Sequence, residues 1–139
     1  MKKIYILLIL FSVGITVGAQ SYKVIVNNTN STSALSKKQV SNLFLKKEKK
    51  WPDGSKVAVI DLKGNNPTRK VFSSEVHSKS TNAVKSYWQQ AVFSGKGTPP
   101  VEKSSDQDVI NFVKQNSGAI GYVSSGTNTS GVKTITVSD

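Results

Sequence analysis

The stretch Val57 to Phe72, VAVIDLKGNNPTRKVF, holds the residues whose types and spacing best suit chemistry, namely the holding of a small anion. It begins with Val57-Ala58-Val59-Ile60, an apolar run of strand type, and breaks at Lys63-Gly64-Asn65-Asn66. Helical spacing resumes at Pro67, with Phe72 and Val76 on one face. Asn66 is a good N-cap, and Pro67 suits the first helical position because its missing N–H would be unpaired there anyway. A strand turning through a polar, glycine-containing loop into a helix presents free backbone N–H groups and a positive dipole end. Arg69, the single arginine of the chain, falls in that first turn. The dipole favours an acid there rather than a cation, so the placement asks for another reason. The plain alternative is an ordinary strand–loop–helix turn carrying a solvated arginine.

Other chemistry is poorly provided for. There is no cysteine, and the sole histidine, His77, has no Ser or carboxylate pattern nearby to enlist it. Neither a His/Cys metal centre nor a paired-carboxylate site can be assembled from the 8 scattered acids. No enzyme activity, cofactor or metal is expected.

The elements that must position the loop follow from periodicity. Residues 1–20 read as a secretory signal peptide: Lys2 and Lys3, an apolar core from Ile4 to Val17, then Val17-Gly18-Ala19, with cleavage after Ala19 or Gln20. No cysteine follows to carry a lipid, and no further apolar run has membrane length. About 119 residues remain, enough for one domain over 21–139, with 17 basic against 8 acidic residues once Lys2 and Lys3 are set aside, a charge of +9. Anionic partners follow from that charge, and export makes nucleic acid the least suitable of them.

Tyr22 to Asn27 reads as a first strand. Ser36 with Gln39 forms a capping box, Leu35 and Val40 a hydrophobic staple, and Val40, Leu43 and Phe44 a buried stripe. That helix runs out in Lys46-Lys47-Glu48-Lys49-Lys50, read as a solvated helix end in preference to a polyanion site, and Trp51-Pro52-Asp53-Gly54 as a turn. Val84, Tyr87, Trp88, Ala91 and Val92 mark an amphipathic helix from about Thr81 to Phe93. The loop Ser94 to Pro100 follows; its Gly95-Lys96-Gly97 lacks P-loop spacing. Ser104 with Gln107 is expected to cap the last helix, with Val109, Phe112 and Val113 inward and Gly118 as its stop. Strands are expected at Ala119–Val123 and Val132–Val137. The order β-α-β-α-α-α-β-β predicts an α/β domain, helices covering both faces of one sheet.

With these residues in order, the chain from about Tyr22 to Ser125 resembles the second lobe of the phosphate-binding proteins of ABC phosphate importers, the type II periplasmic binding-protein fold. The markers are Leu35-Ser36 leading to Leu43-Phe44-Leu45-Lys46, Trp51-Pro52-Asp53-Gly54, Tyr87-Trp88, Phe93-Ser94-Gly95-Lys96-Gly97 with Pro99-Pro100, and Gly118-Ala119-Ile120-Gly121-Tyr122-Val123. The resemblance implies a single three-layer lobe with a mixed sheet, a periplasmic location, and a phosphate-like ligand at the loop. Two departures accompany it. The length suffices for one lobe where the family closes two on the anion. Asp61 lies near where the family has its arginine, and Asn65 and Asn66 where Ser and Gly are expected, leaving Thr68 as the match.

The expected ligand-binding set is therefore Gly64, Asn65, Asn66, Thr68 and Arg69. The expected function is that of a non-enzymatic solute-binding protein for phosphate or another small oxyanion, with a partner protein or a second copy completing the cleft. An interaction module that has lost its ligand, or a cationic envelope-binding protein, are the alternatives.

Overall fold

A computed structural model describes residues 21–139; the expected signal peptide over 1–20 lies outside the described residues. The chain forms β1 (Tyr22–Val26), β2 (Ala34–Ser36), α1 (Lys37–Phe44), β3 (Ala58–Leu62), α2 (Pro67–His77), α3 (Thr81–Phe93), β4 (Val101–Lys103), α4 (Asp106–Gln115), β5 (Ala119–Ser124) and β6 (Lys133–Ser138). One mixed sheet of six strands runs in the order β2-β6-β1-β5-β3-β4. β1 pairs antiparallel with both β5 and β6, while β3 lies parallel to β5 and to β4. The three-residue strands β2 and β4 at the two ends of this order were not anticipated, being too short to carry an alternation.

Helices cover both faces, as the continuous apolar runs require. Successive strand side chains point to opposite sides, yet Val24, Ile25 and Val26 are all buried, as are Val59 to Leu62 and Ala119 to Val123. One face carries an aromatic cluster in which Phe72 of α2 stacks on Tyr122 and meets Tyr22 and Phe44. On the other, α4 crosses β5 at Gly121, where a Cβ would stand 2.7 Å from both Ile60 Cγ2 and Val109 Cγ1. Gly121→Ala is therefore expected to cost about 1–3 kcal/mol through overpacking, measurable as a lowered urea midpoint at unchanged slope. A midpoint equal to wild type would mean that α4 gives way freely.

Local signals held in part. Ser36 and Gln39 make the expected capping box, and Asn66 Oδ1 accepts the Thr68 N–H at 2.9 Å with Pro67 at the first helical position. The box at Ser104 and Gln107 does not form. Ser105 is the N-cap of α4, and Gln107 donates instead to Asn111 along the helix. Gly118 does not stop α4, which ends three residues earlier with Asn116 returning its side-chain N–H to Phe112 O; the Gly118 carbonyl accepts from Ala58 N–H and Trp51 Nε1. α1 ends at Phe44, so its lysine run lies beyond the helix rather than in the last turn.

α3 sits apart from the main core. Val84, Trp88 and Ala91 pack with Leu45 in a small separate cluster, while Val92, expected inward, is 52% exposed and Phe93 92% exposed. The stripe was read one residue too wide: α3 meets only a narrow ridge of its neighbours. It thereby stands as the wall between two grooves, with Trp88 bordering both.

Candidate functional site

The carboxyl end of β3 delivers Asp61 and Leu62, the loop 63–66 reverses the chain, and α2 carries Thr68 and Arg69 back along it. Beside them lies a cleft of about 1010 Å³, bordered by Gly64, Asn65, Arg69, Lys70, Lys85 and Glu102 and closed on its far side by α3 and Pro99–Pro100. Gly64 and Asn65 are exposed on the loop, and a Cβ at Gly64 would meet nothing within 4 Å. Asn66 N–H turns back to Lys63 O at 2.9 Å, and Thr68 N–H is taken by the Asn66 cap. Among the described residues the N–H groups of Gly64, Asn65 and Arg69 have no hydrogen-bond acceptor.

Arg69 is not the solvated side chain of the plain alternative, and its guanidinium is engaged by the protein itself. The residue is 6% exposed, and its Nη1 donates to Leu62 O at 2.6 Å and lies 3.2 Å from Asp61 Oδ2 and 3.1 Å from Glu102 Oε2. Nε reaches Ser73 Oγ at 3.4 Å. The physical reason is Asp61. A carboxylate buried on a central strand needs a cation, and the only arginine supplies it from one helical turn into α2. Among the described residues Nη2 has no such partner, and Arg69 borders the cleft.

Burial pushes the Asp61 carboxyl up to about 6, against the lowering pull of Arg69 and of hydrogen bonds from Tyr122 Oη and Leu62 N–H. Burial likewise drives the Tyr122 hydroxyl far above its ordinary range. His77 is packed rather than free: it lies edge-on to Phe72, Nδ1 is 2.7 Å from Ser41 Oγ, and burial lowers it to about 4, keeping it neutral at pH 7. The structure thus brings Gly64, Asn65 and Arg69 to one cleft, with Asn66 and Thr68 spent mainly on capping α2. Sequence reasoning missed Glu102 and Tyr122 as companions of Arg69. An acid two residues beyond a pair of prolines gave no periodic signal, and only the parallel register Asp61↔Glu102 brings it alongside.

No family model matches the chain, and no curated protein matches it. Solved structures do. An ABC-type phosphate transport receptor from Vibrio cholerae superposes with a TM-score of 0.67 at 20% identity, covering 84% of this chain and 46% of that one. A Clostridium perfringens protein named as a phosphate ABC transporter substrate-binding protein, with phosphate bound, gives 0.65 at 18% identity, covering 84% of this chain and 44% of the other. PstS from Borrelia burgdorferi gives 0.60 at 11% identity, with 84% and 47% covered. The chain spans less than half the length of these structures, and over that span its fold is the α/β fold of phosphate ABC transporter substrate-binding proteins.

Proposed function

We propose that this is a non-enzymatic solute-binding protein that takes phosphate or a similar small oxyanion at the Gly64–Arg69 loop, as a relative of phosphate-import proteins. The observation that carries the reading is the set of three N–H groups, of Gly64, Asn65 and Arg69, that have no acceptor among the described residues and belong to residues bordering the same cleft. Donors fixed in this way need no reorganisation to receive an anion, and Lys70 and Lys85 at the border add charge. Asn66 and Thr68 hold the helix end that aims them. The cleft is open and the Arg69 charge is partly spent on Asp61, so binding is weak, with a dissociation constant on the order of 1 mM. The chain acts as one domain over 21–139, exported to the periplasm through a leader over 1–20.

Calorimetric titration of phosphate and of sulfate tests the reading. Gly64→Asp is the informative variant, because its side chain projects into open space and leaves the fold alone while setting a carboxylate against the ligand. Wild type is expected to give saturable heat that Gly64→Asp abolishes. Heat of dilution alone in the wild type at about ten times that constant defeats the proposal. A second reading, an interaction module without a ligand, draws on the engagement of Arg69 Nη1 by two acids, and a wild type silent to both anions but retained on a periplasmic partner would favour it.

A further inference from the structure

The lysine run after α1, read from sequence as a solvated helix end, is gathered by the fold into something more specific. Lys46, Lys49 and Lys50 from that run meet Lys56, brought across by the bridge between Lys50 and Lys56, and Lys96 from the loop after α3. All five border one groove of about 640 Å³ on the opposite side of Trp88 from the Arg69 cleft. We propose that this groove is a second binding site, built for a compact oligophosphate.

Three observations lead there. First, the ammonium groups have no counter-ion: the ion pairs among the described residues involve Lys37 and Arg69, and none of these five. The single acid at the groove, Glu48, turns its Oε1 onto the N–H groups of Lys49 and Lys50 at 3.2 and 3.3 Å. Secondly, Lys46 stands in the left-handed region at φ 55, where a helix end ordinarily takes glycine, so a long cation is kept at a position that disfavours side chains. Thirdly, the Lys46 ammonium is pulled below its ordinary range, by burial first and then by Lys49, so the groove holds repelling charge that an anion would relieve.

The chemistry of the ligand follows from the donors. Each lysine presents a compact point charge, and five of them around one small groove suit a ligand that carries several negative charges close together, as an oligophosphate does. The groove is concave and of small-molecule size, which a flat lipid surface does not enter. Its base of Leu43, Leu45 and Trp88 is buried and packed, and the exposed side chains of Gln90, Ser94 and Thr98 stand at its border beside the lysines as further hydrogen-bonding groups.

Titration of the full protein with tripolyphosphate tests this independently of the Arg69 loop. Binding is expected at low salt, weakening by about tenfold between about 50 and 300 mM NaCl as screening sets in. Lys49→Gln/Lys96→Gln is expected to weaken it by roughly tenfold, these being exposed side chains whose loss leaves the fold intact. Gly64→Asp, and the equally charged control Lys38→Gln/Lys114→Gln with both lysines exposed and outside the groove, should bind as wild type. Absence of binding, or equal weakening in the control, overturns the site. Loss in Gly64→Asp alone moves the ligand to the other cleft. Tighter binding of a polyglutamate peptide, or of phosphatidylglycerol vesicles, overturns the ligand class.

Discussion

Arg69→Ala is expected to destabilise the protein by about 3 kcal/mol at pH 7 and by clearly less at pH 5, measured by urea unfolding at the two pH values. The side chain is 7% exposed and its Nη1 lies between Asp61, 5% exposed, and Glu102, 46% exposed. Removing it strands the Asp61 carboxylate in the sheet, while Glu102 can turn to water. The pH dependence has a definite sign. Asp61 titrates in the folded protein near 6, above the ordinary 3.8, so the folded state binds the proton more tightly and acidification through that window favours folding. Without the guanidinium the carboxyl rises further, and the window reaches toward neutrality. Protonated Asp61 needs no cation, so the defect shrinks at pH 5, and adding Asp61→Asn should recover part of it at pH 7. A loss of the same size at both pH values would mean that Arg69 matters through its stem packing alone.

Phe72→Ala should be costlier still, about 3–5 kcal/mol. The ring is fully buried, stacked on Tyr122 at 3.7 Å between centroids, 4.8 Å from Phe44, and edge-on to Tyr22 at 5.4 Å. It joins α2, α1 and the sheet, so a cavity there borders three elements that cannot all close in. The loss also frees Tyr122, whose hydroxyl holds Asp61. Phe72→Leu, which keeps most of the volume, should cost about 1.5 kcal/mol or less. Thermal unfolding of the pair checks the ordering; similar midpoints for both would show the cluster to be loosely packed.

The helices and the central strands were legible because their signals are local. Ser36 and Gln39 cap α1, Asn66 and Pro67 start α2, and unbroken apolar runs made β1, β3 and β5 central strands buried on both faces. Two neighbouring serines, 104 and 105, compete for one cap, and spacing alone chose the wrong one. The candidate site was legible as a place but not as an arrangement. Which way Arg69 turns depends on Asp61 being buried opposite it and on Glu102 arriving 33 residues later, a non-local register. The lysine groove was hidden for the same reason: Lys96 joins Lys46 only through the docking of α3 on Leu45.

The brevity of β2 and β4 has a consequence for behaviour in concentrated solution. A long outer strand offers a row of unpaired N–H and C=O groups on which another molecule can build a cross-molecule ladder. Here the outermost strands run for three residues each, one followed at once by Lys37 and the other preceded by Pro99–Pro100 and ending on Lys103. Little template remains for fibril growth, and like-charged molecules repel before that remnant can be used.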